Sequence, residues 1–134
     1  MLFRSGLHAW WSEFQKGFTD MDRGRLPGDL AERMHERANE LAESIVKENE
    51  YASKEAANRL GLSLLARMAG LHLRERLRAA CERGAADDTA RTLEAMRAID
   101  RFEENVRGNV NPKLALAALM AEWAQADRAE PVAR

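Results

Sequence analysis

The stretch RGNVNPKLALAALMAEW, residues 107–123, decides the fold. It sets Gly108, Asn109, Asn111 and Pro112 directly ahead of a run of leucines and alanines. A residue before proline is driven out of helical dihedrals, and an N-cap must be non-helical. Asparagine suits that place because its side-chain oxygen accepts a bond from an orphan N–H. Proline at the first helical position gives up an N–H that had no partner there. The pattern predicts a helix stopping at Gly108, a short connection capped by Asn111, and a closing helix that starts at Pro112 and fades by Asp127. Leu116, Leu119, Met120 and Trp123 then share one face, and the sharp reversal lays that face on the preceding helix.

Working outward, the same periodicity recurs along the whole chain. A first helix is expected over Leu7–Phe18, where Phe3, Leu7, Trp10, Trp11, Phe14 and Phe18 recur at spacings of three and four. Gly24 and Pro27-Gly28 break it, and Asp29 is a fitting cap for a second helix over Leu30–Lys47, with Leu30, Met34, Ala38, Leu41 and Ile45 as its stripe. Ser53 fits as the cap of a third helix, Lys54–Arg83. This helix is apolar on more than one side, so it reads as the central one. Gly61 and Gly70 interrupt it, each costing about 1 kcal/mol relative to alanine, which a kink or a close crossing would explain. Gly84 stands where a left-handed C-cap belongs. Asp88 is expected to cap a fourth helix over Thr89–Val106, buried through Leu93, Met96, Ile99, Phe102 and Val106. Strand-like alternation is absent and β-branched residues are few, so the class is all-α: a compact bundle of about five helices. The divisions expected are residues 1–28, a helix and loop of unassigned role; 29–127, the helical domain; and 128–134, a frayed tail.

The chain has 134 residues, enough for one domain with a modest core. Charged residues make up 32% and the net charge is −1, so no global basic excess is available to hold nucleic acid. Cys81 is the only cysteine, which excludes an internal disulfide and a thiolate metal cluster and fits a reducing compartment. The opening MLFRSGLHAWWSEF lacks the unbroken apolar core of a signal peptide, and no charge-free stretch reaches spanning length. A cytoplasmic chain is expected.

Signatures of chemistry are sparse. Neither a phosphate-cradling glycine loop of the Walker type nor a dinucleotide fingerprint occurs. His8, His35 and His72 are scattered and form no ligand pair, so neither a metal nor a cofactor is expected. SIVK, Ser44–Lys47, fits a four-residue acyl-enzyme pattern without its partner motifs. DMDRGR, residues 20–25, has two aspartates spaced as in a calcium loop but the wrong continuation, and reads as a polar loop. Arg74, Arg76, Arg78 and Arg83 lie in LRERLRAACERG, residues 73–84. They make either a solvated face balanced by Glu75 and Glu82 or a patch that meets an anion or a partner. Cys81 beside them reads as a small core residue. Trp10 and Trp11 point about 100° apart on a helix, so one can serve the core while the other covers a neighbour. Trp10, Trp11, Arg74 and Arg78 are therefore the candidate interface residues.

The segment AIDRFEENVRGNVNPKLALAALMAEW, Ala98–Trp123, resembles the C-terminal end of bacterial DNA polymerase III clamp-loader subunits, delta prime first and gamma/tau next. The likeness rests on Asn109, Asn111, Pro112, Leu114, Ala115 and Leu116. ANELAESIVKENE (38–50) and LLARMAGLHLRERL (64–77) fit earlier helices of that domain in pattern. The resemblance implies a collar: a non-catalytic oligomerisation domain that packs through helical faces against gamma/tau and delta collars while ATPase modules below load the sliding clamp in DNA replication. It implies no direct nucleic-acid contact by this domain. The 134 residues hold neither the family's ATPase module nor its four-cysteine zinc module, and residues 1–18 have no place in its pattern. Two other readings stand beside it: a small regulator that dimerises through its tryptophan-bearing first helix, and a helical enzyme using histidine and carboxylates in its core.

Overall fold

A computed structural model describes residues 2–48, 54–108 and 110–128. The described residues form five α-helices and no strand: α1 Leu2–Asp22, α2 Leu30–Glu48, α3 Lys54–Arg83, α4 Ala86–Arg107 and α5 Pro112–Arg128. The all-α class and the helix count are as the periodicity predicts. Several expectations fall on Ser53, Asn109 and the side chains of Phe3, Leu7, His8, Trp10, Ile45 and Lys47, which lie outside the described residues.

The closing reversal forms as its residues dictate. Asn111 Oδ1 accepts the N–H of Lys113 at 2.9 Å and of Leu114 at 3.3 Å. The Asn111 carbonyl takes the first turn's bond from Ala115 N–H at 2.9 Å. Ala115, Leu116, Leu119, Met120, Trp123 and Ala124 are buried, but Leu114 is 66% exposed. Leu114 lies in the first turn, about 100° per residue away from the buried row, and takes no part in closing the core.

Two helix ends are set by left-handed glycines. At Gly24 (φ 68°), Arg25 N–H reaches back to Asp20 O at 2.8 Å and Gly24 N–H to Met21 O at 3.0 Å. At Gly84 (φ 66°), Ala85 N–H bonds Ala80 O at 2.9 Å and Gly84 N–H bonds Cys81 O at 3.1 Å. Both are Schellman closures, which pull the orphan carbonyls back into the chain. The first extends α1 through Asp22, so DMD is the last helical turn and not a polar loop. The second brings α4 on immediately, at Ala86. Ala85 occupies the cap place with no side-chain bond, and Asp88 is not the cap. Asp87 and Asp88 sit in the first turn instead, where carboxylates favour the helix dipole.

α3 packs against α2 and α4; α5 lies along α4 and meets α2; α1 crosses α3, α5 and α2. Gly61 marks the α2–α3 crossing: a Cβ there would stand 2.4 Å from Ala38 O. Gly70 has nothing within 4 Å of such an atom, and nothing in the structure explains it. One continuous core joins all five helices, built around Phe14, Phe18, Met21, Leu65, Leu73, Phe102, Leu116, Leu119 and Trp123. Residues 1–28 thus supply three of its large side chains, Phe14, Phe18 and Met21. On α4 the buried row is Thr92, Ala95, Ala98, Ile99, Phe102 and Val106, and Leu93 is 42% exposed. Thr92 takes the inward place because its hydroxyl donates to Asp88 O at 2.7 Å, leaving only its methyl for the core. Cys81, expected inside, is exposed on α3.

Candidate functional site

Two features stand out from the bundle: a charged clasp inside it and a groove on its surface. The clasp centres on Asp22, at the end of α1. Its Oδ2 lies 2.5 Å from His72 Nε2; its Oδ1 accepts Arg76 Nη1–H at 2.8 Å and Trp123 Nε1–H at 2.9 Å. Arg76 also donates to Asp88 Oδ1 through Nη2 (2.7 Å) and Nε (3.2 Å), and Arg83 reaches Asp88 Oδ2 at 3.3 Å. One carboxylate thereby ties α1 to α3 and α5, and Arg76 carries the link on to α4. The aromatic rings seal it: Phe18 stacks on Trp123 with centroids 5.6 Å apart and planes 14° apart, and His72 lies 5.5 Å from Phe18.

Burial pushes the Asp22 carboxyl up. The His72 hydrogen bond, the charges of His72 and Arg76, and the Trp123 hydrogen bond outweigh it and hold the group below its ordinary value. Both oxygens have hydrogen-bond partners, and through them the carboxylate links α1 to α3 and α5. The sequence pattern put Asp22 in a polar loop and Arg76 on a solvated face or outer patch, whereas both side chains are largely buried and paired with each other. The available signal was position: Phe14, Phe18 and Asp22 are spaced by four on one apolar stripe, as are His72 and Arg76 beside Leu65, Ala69 and Leu73. A charge on a buried stripe must find a partner.

The groove, about 580 Å³, runs between α1 and α3. Trp11 forms its α1 wall. Leu71, Leu77 and Cys81 give α3's apolar contribution, with Arg74, Glu75 and Arg78 alongside. Trp11 is half-buried against the core, and Leu71 is 54% exposed. Three of the four candidate interface residues, Trp11, Arg74 and Arg78, thus meet on one surface. The fourth, Trp10, has its side chain outside the described residues. Asn111, Pro112, Leu116, Leu119 and Trp123 belong to the reversal and core, not to this lining.

The remaining candidates are dispersed. His35 on α2 pairs with Asn39 at 3.3 Å, and Ser44 Oγ donates to Glu40 O at 3.1 Å. A second hollow of about 300 Å³ between α1 and α2 is edged by the ion pairs of Arg37 with Glu13 at 2.6 Å and with Glu40 at 2.9 Å. Among the described residues no three histidine, cysteine or carboxylate side chains converge as a metal site. No described helix is long and apolar enough to cross a membrane. A comparison with known protein families, curated proteins and solved structures finds no match.

Proposed function

We propose that this chain is a non-catalytic assembly module, the collar-type domain of a clamp-loader subunit of the delta prime kind. It acts by presenting helical faces to gamma/tau and delta collars in the bacterial cytoplasm, and it uses no cofactor and does not contact nucleic acid directly. The observation that carries the reading is the Ala98–Trp123 segment. Its resemblance to the family runs through Asn111 and Pro112, and those residues have a physical task here, capping α5 so that Leu116, Leu119 and Trp123 close the core. The reading is further supported by the surface. The groove gathers aromatic, apolar and arginine side chains, the composition that protein contacts favour.

The test is association. The purified chain is mixed with gamma/tau and delta collars and the mixture is resolved by size-exclusion chromatography with light scattering. A complex with defined stoichiometry is expected. A chain that pairs only with itself and ignores those collars refutes the reading and points to the dimeric regulator.

A further inference from the structure

We infer that the α1–α3 groove is a docking site for an acidic amphipathic helix of a partner protein. This deepens the assembly reading, and it rests on that reading for the expectation that a helix face here meets another protein.

The face is a seam. Leu60, Leu64, Arg67, Leu71, Arg74 and Arg78 follow one another at spacings of four and three, which keeps them on one side of α3 over about 27 Å. α2, α4 and α1 cover the other sides of α3. Leu71 stands more than half exposed at the middle of the seam, with Trp11 and Leu77 beside it as an apolar floor. A seam of this length and period suits a helix presenting anchors at i, i+3 or i+4 and i+7.

Charge selects the occupant. Arg67 and Arg74 flank Leu71 at i−4 and i+3, are exposed, and form no ion pair among the described residues. Arg78 has only an exposed bond to Glu82 at 3.3 Å. Among the described residues, Glu75 is the sole carboxylate lining the groove. A second copy of the chain would bring the same arginine excess against this one, and like charges across an interface are penalised. A nucleic acid would set phosphates against Glu75 and leave Leu71 and Leu77 facing its sugar–phosphate edge. A helix with leucines on one side and carboxylates flanking them satisfies both the floor and the arginines.

The experiment uses a fluorescein-labelled synthetic helix of about 18 residues with leucine at the a and d positions and glutamate on the flanks, and a twin with lysine flanks. Binding to the full chain is read by anisotropy. The acidic peptide is expected to bind at least ~10-fold more tightly than its lysine twin, and more weakly as salt rises. Leu71→Asp should weaken it ~10-fold or more, and the pair Arg74→Glu with Arg78→Glu should reverse the preference between the two peptides. All three positions are exposed, and an unchanged thermal melt verifies that the variants fold. Equal binding of both peptides, indifference to Leu71→Asp, a single-stranded oligonucleotide that displaces the peptide, or dimerisation of the chain abolished by Leu71→Asp would each overturn the inference. The collar association test runs in parallel. If the collars are ignored while the acidic peptide binds, the assembly reading falls and the groove stands. If the collars bind Leu71→Asp as well as wild type and the peptide does not bind, the groove falls and the reading stands.

Discussion

Replacing Asp22 by asparagine keeps the shape of the clasp and removes its charge. If the amide oxygen takes the Oδ1 place, Trp123 and Arg76 keep an acceptor, but the NH₂ group then faces His72 Nε2, 2.5 Å from the present oxygen. If the amide is flipped, the NH₂ meets two donors, Arg76 Nη1–H and Trp123 Nε1–H. In either state a guanidinium only 14% exposed loses the Asp22 carboxylate. Removing one partner of a buried ion pair costs about 3–5 kcal/mol. Because Arg76 keeps Asp88, the lower end applies, about 3 kcal/mol, or a fall in Tm on the order of 10 °C for a chain of this length. Urea denaturation followed by far-ultraviolet circular dichroism measures the loss. A cycle with Trp123→Phe isolates the indole bond to the carboxylate, with a coupling of about 1–1.5 kcal/mol. The effect also has a sign in pH. The folded carboxyl titrates below its ordinary 3.8, so its contribution is fully present above that value and is lost as pH falls through the lowered one. The gap between wild type and Asp22→Asn should therefore close as the solution is acidified below that ordinary value. A loss under about 0.5 kcal/mol at neutral pH, or a gap that persists undiminished in acid, refutes the account of the clasp.

Two glycines of α3 should respond with opposite signs. Gly61→Ala places a methyl 2.4 Å from the Ala38 carbonyl oxygen and should destabilise the α2–α3 crossing by about 1–3 kcal/mol, whereas Gly70→Ala, with open space around it, should raise stability by about 1 kcal/mol in the same urea titration. Asn111→Ala should cost about 1 kcal/mol by removing the cap, while Asn111→Asp keeps an acceptor oxygen and should lose little; equal losses would show that the side-chain oxygen is not what starts α5. Leu114→Ala, three residues on, should change stability by less than about 0.5 kcal/mol, because that side chain covers nothing buried.

Which of these features the sequence disclosed follows from the range over which each acts. Caps and left-handed glycines are local, so the α3 end at Gly84 and the α5 start at Asn111–Pro112 were legible, as was the apolar stripe of α2 from Leu30 to Leu41. Boundaries set by competition were not. α4 starts at Ala86 because the Gly84 closure and the two aspartates in the first turn favour it; a side-chain cap at Asp88 would have shortened the helix, and Asp88 instead turns its carboxylate to Arg76 and Arg83. Hydropathy put Leu93 inside and said nothing of Thr92, since it cannot see that a hydroxyl bonded to its own backbone can lie inward. The convergence of Trp11 with Arg74 and Arg78 needed the α1–α3 crossing, which no local pattern encodes. Each residue was a separate interface candidate, and only the fold brings them to one groove.

α3 connects the two features because its inward and outward sides carry them. His72 and Arg76 face the clasp while Leu71, Arg74 and Arg78 face the groove, one residue's turn apart. α1 touches both: Asp22 is held in the clasp and Trp11, about 16 Å back along the same helix, makes the groove wall. Phe14 and Phe18 lie between them in the core, stacked at 6.3 Å and continued by Phe18 on Trp123. The position of the groove wall is therefore fixed by a short rigid lever whose far end is pinned by three donors and whose middle is packed by aromatic rings. A surface meant for recognition has to be held in shape before its partner arrives, since ordering it at the moment of binding would subtract from affinity. The clasp supplies that order from inside. On the docking proposal, that is the use of ending α1 on a charge tied to three other side chains rather than on another apolar residue.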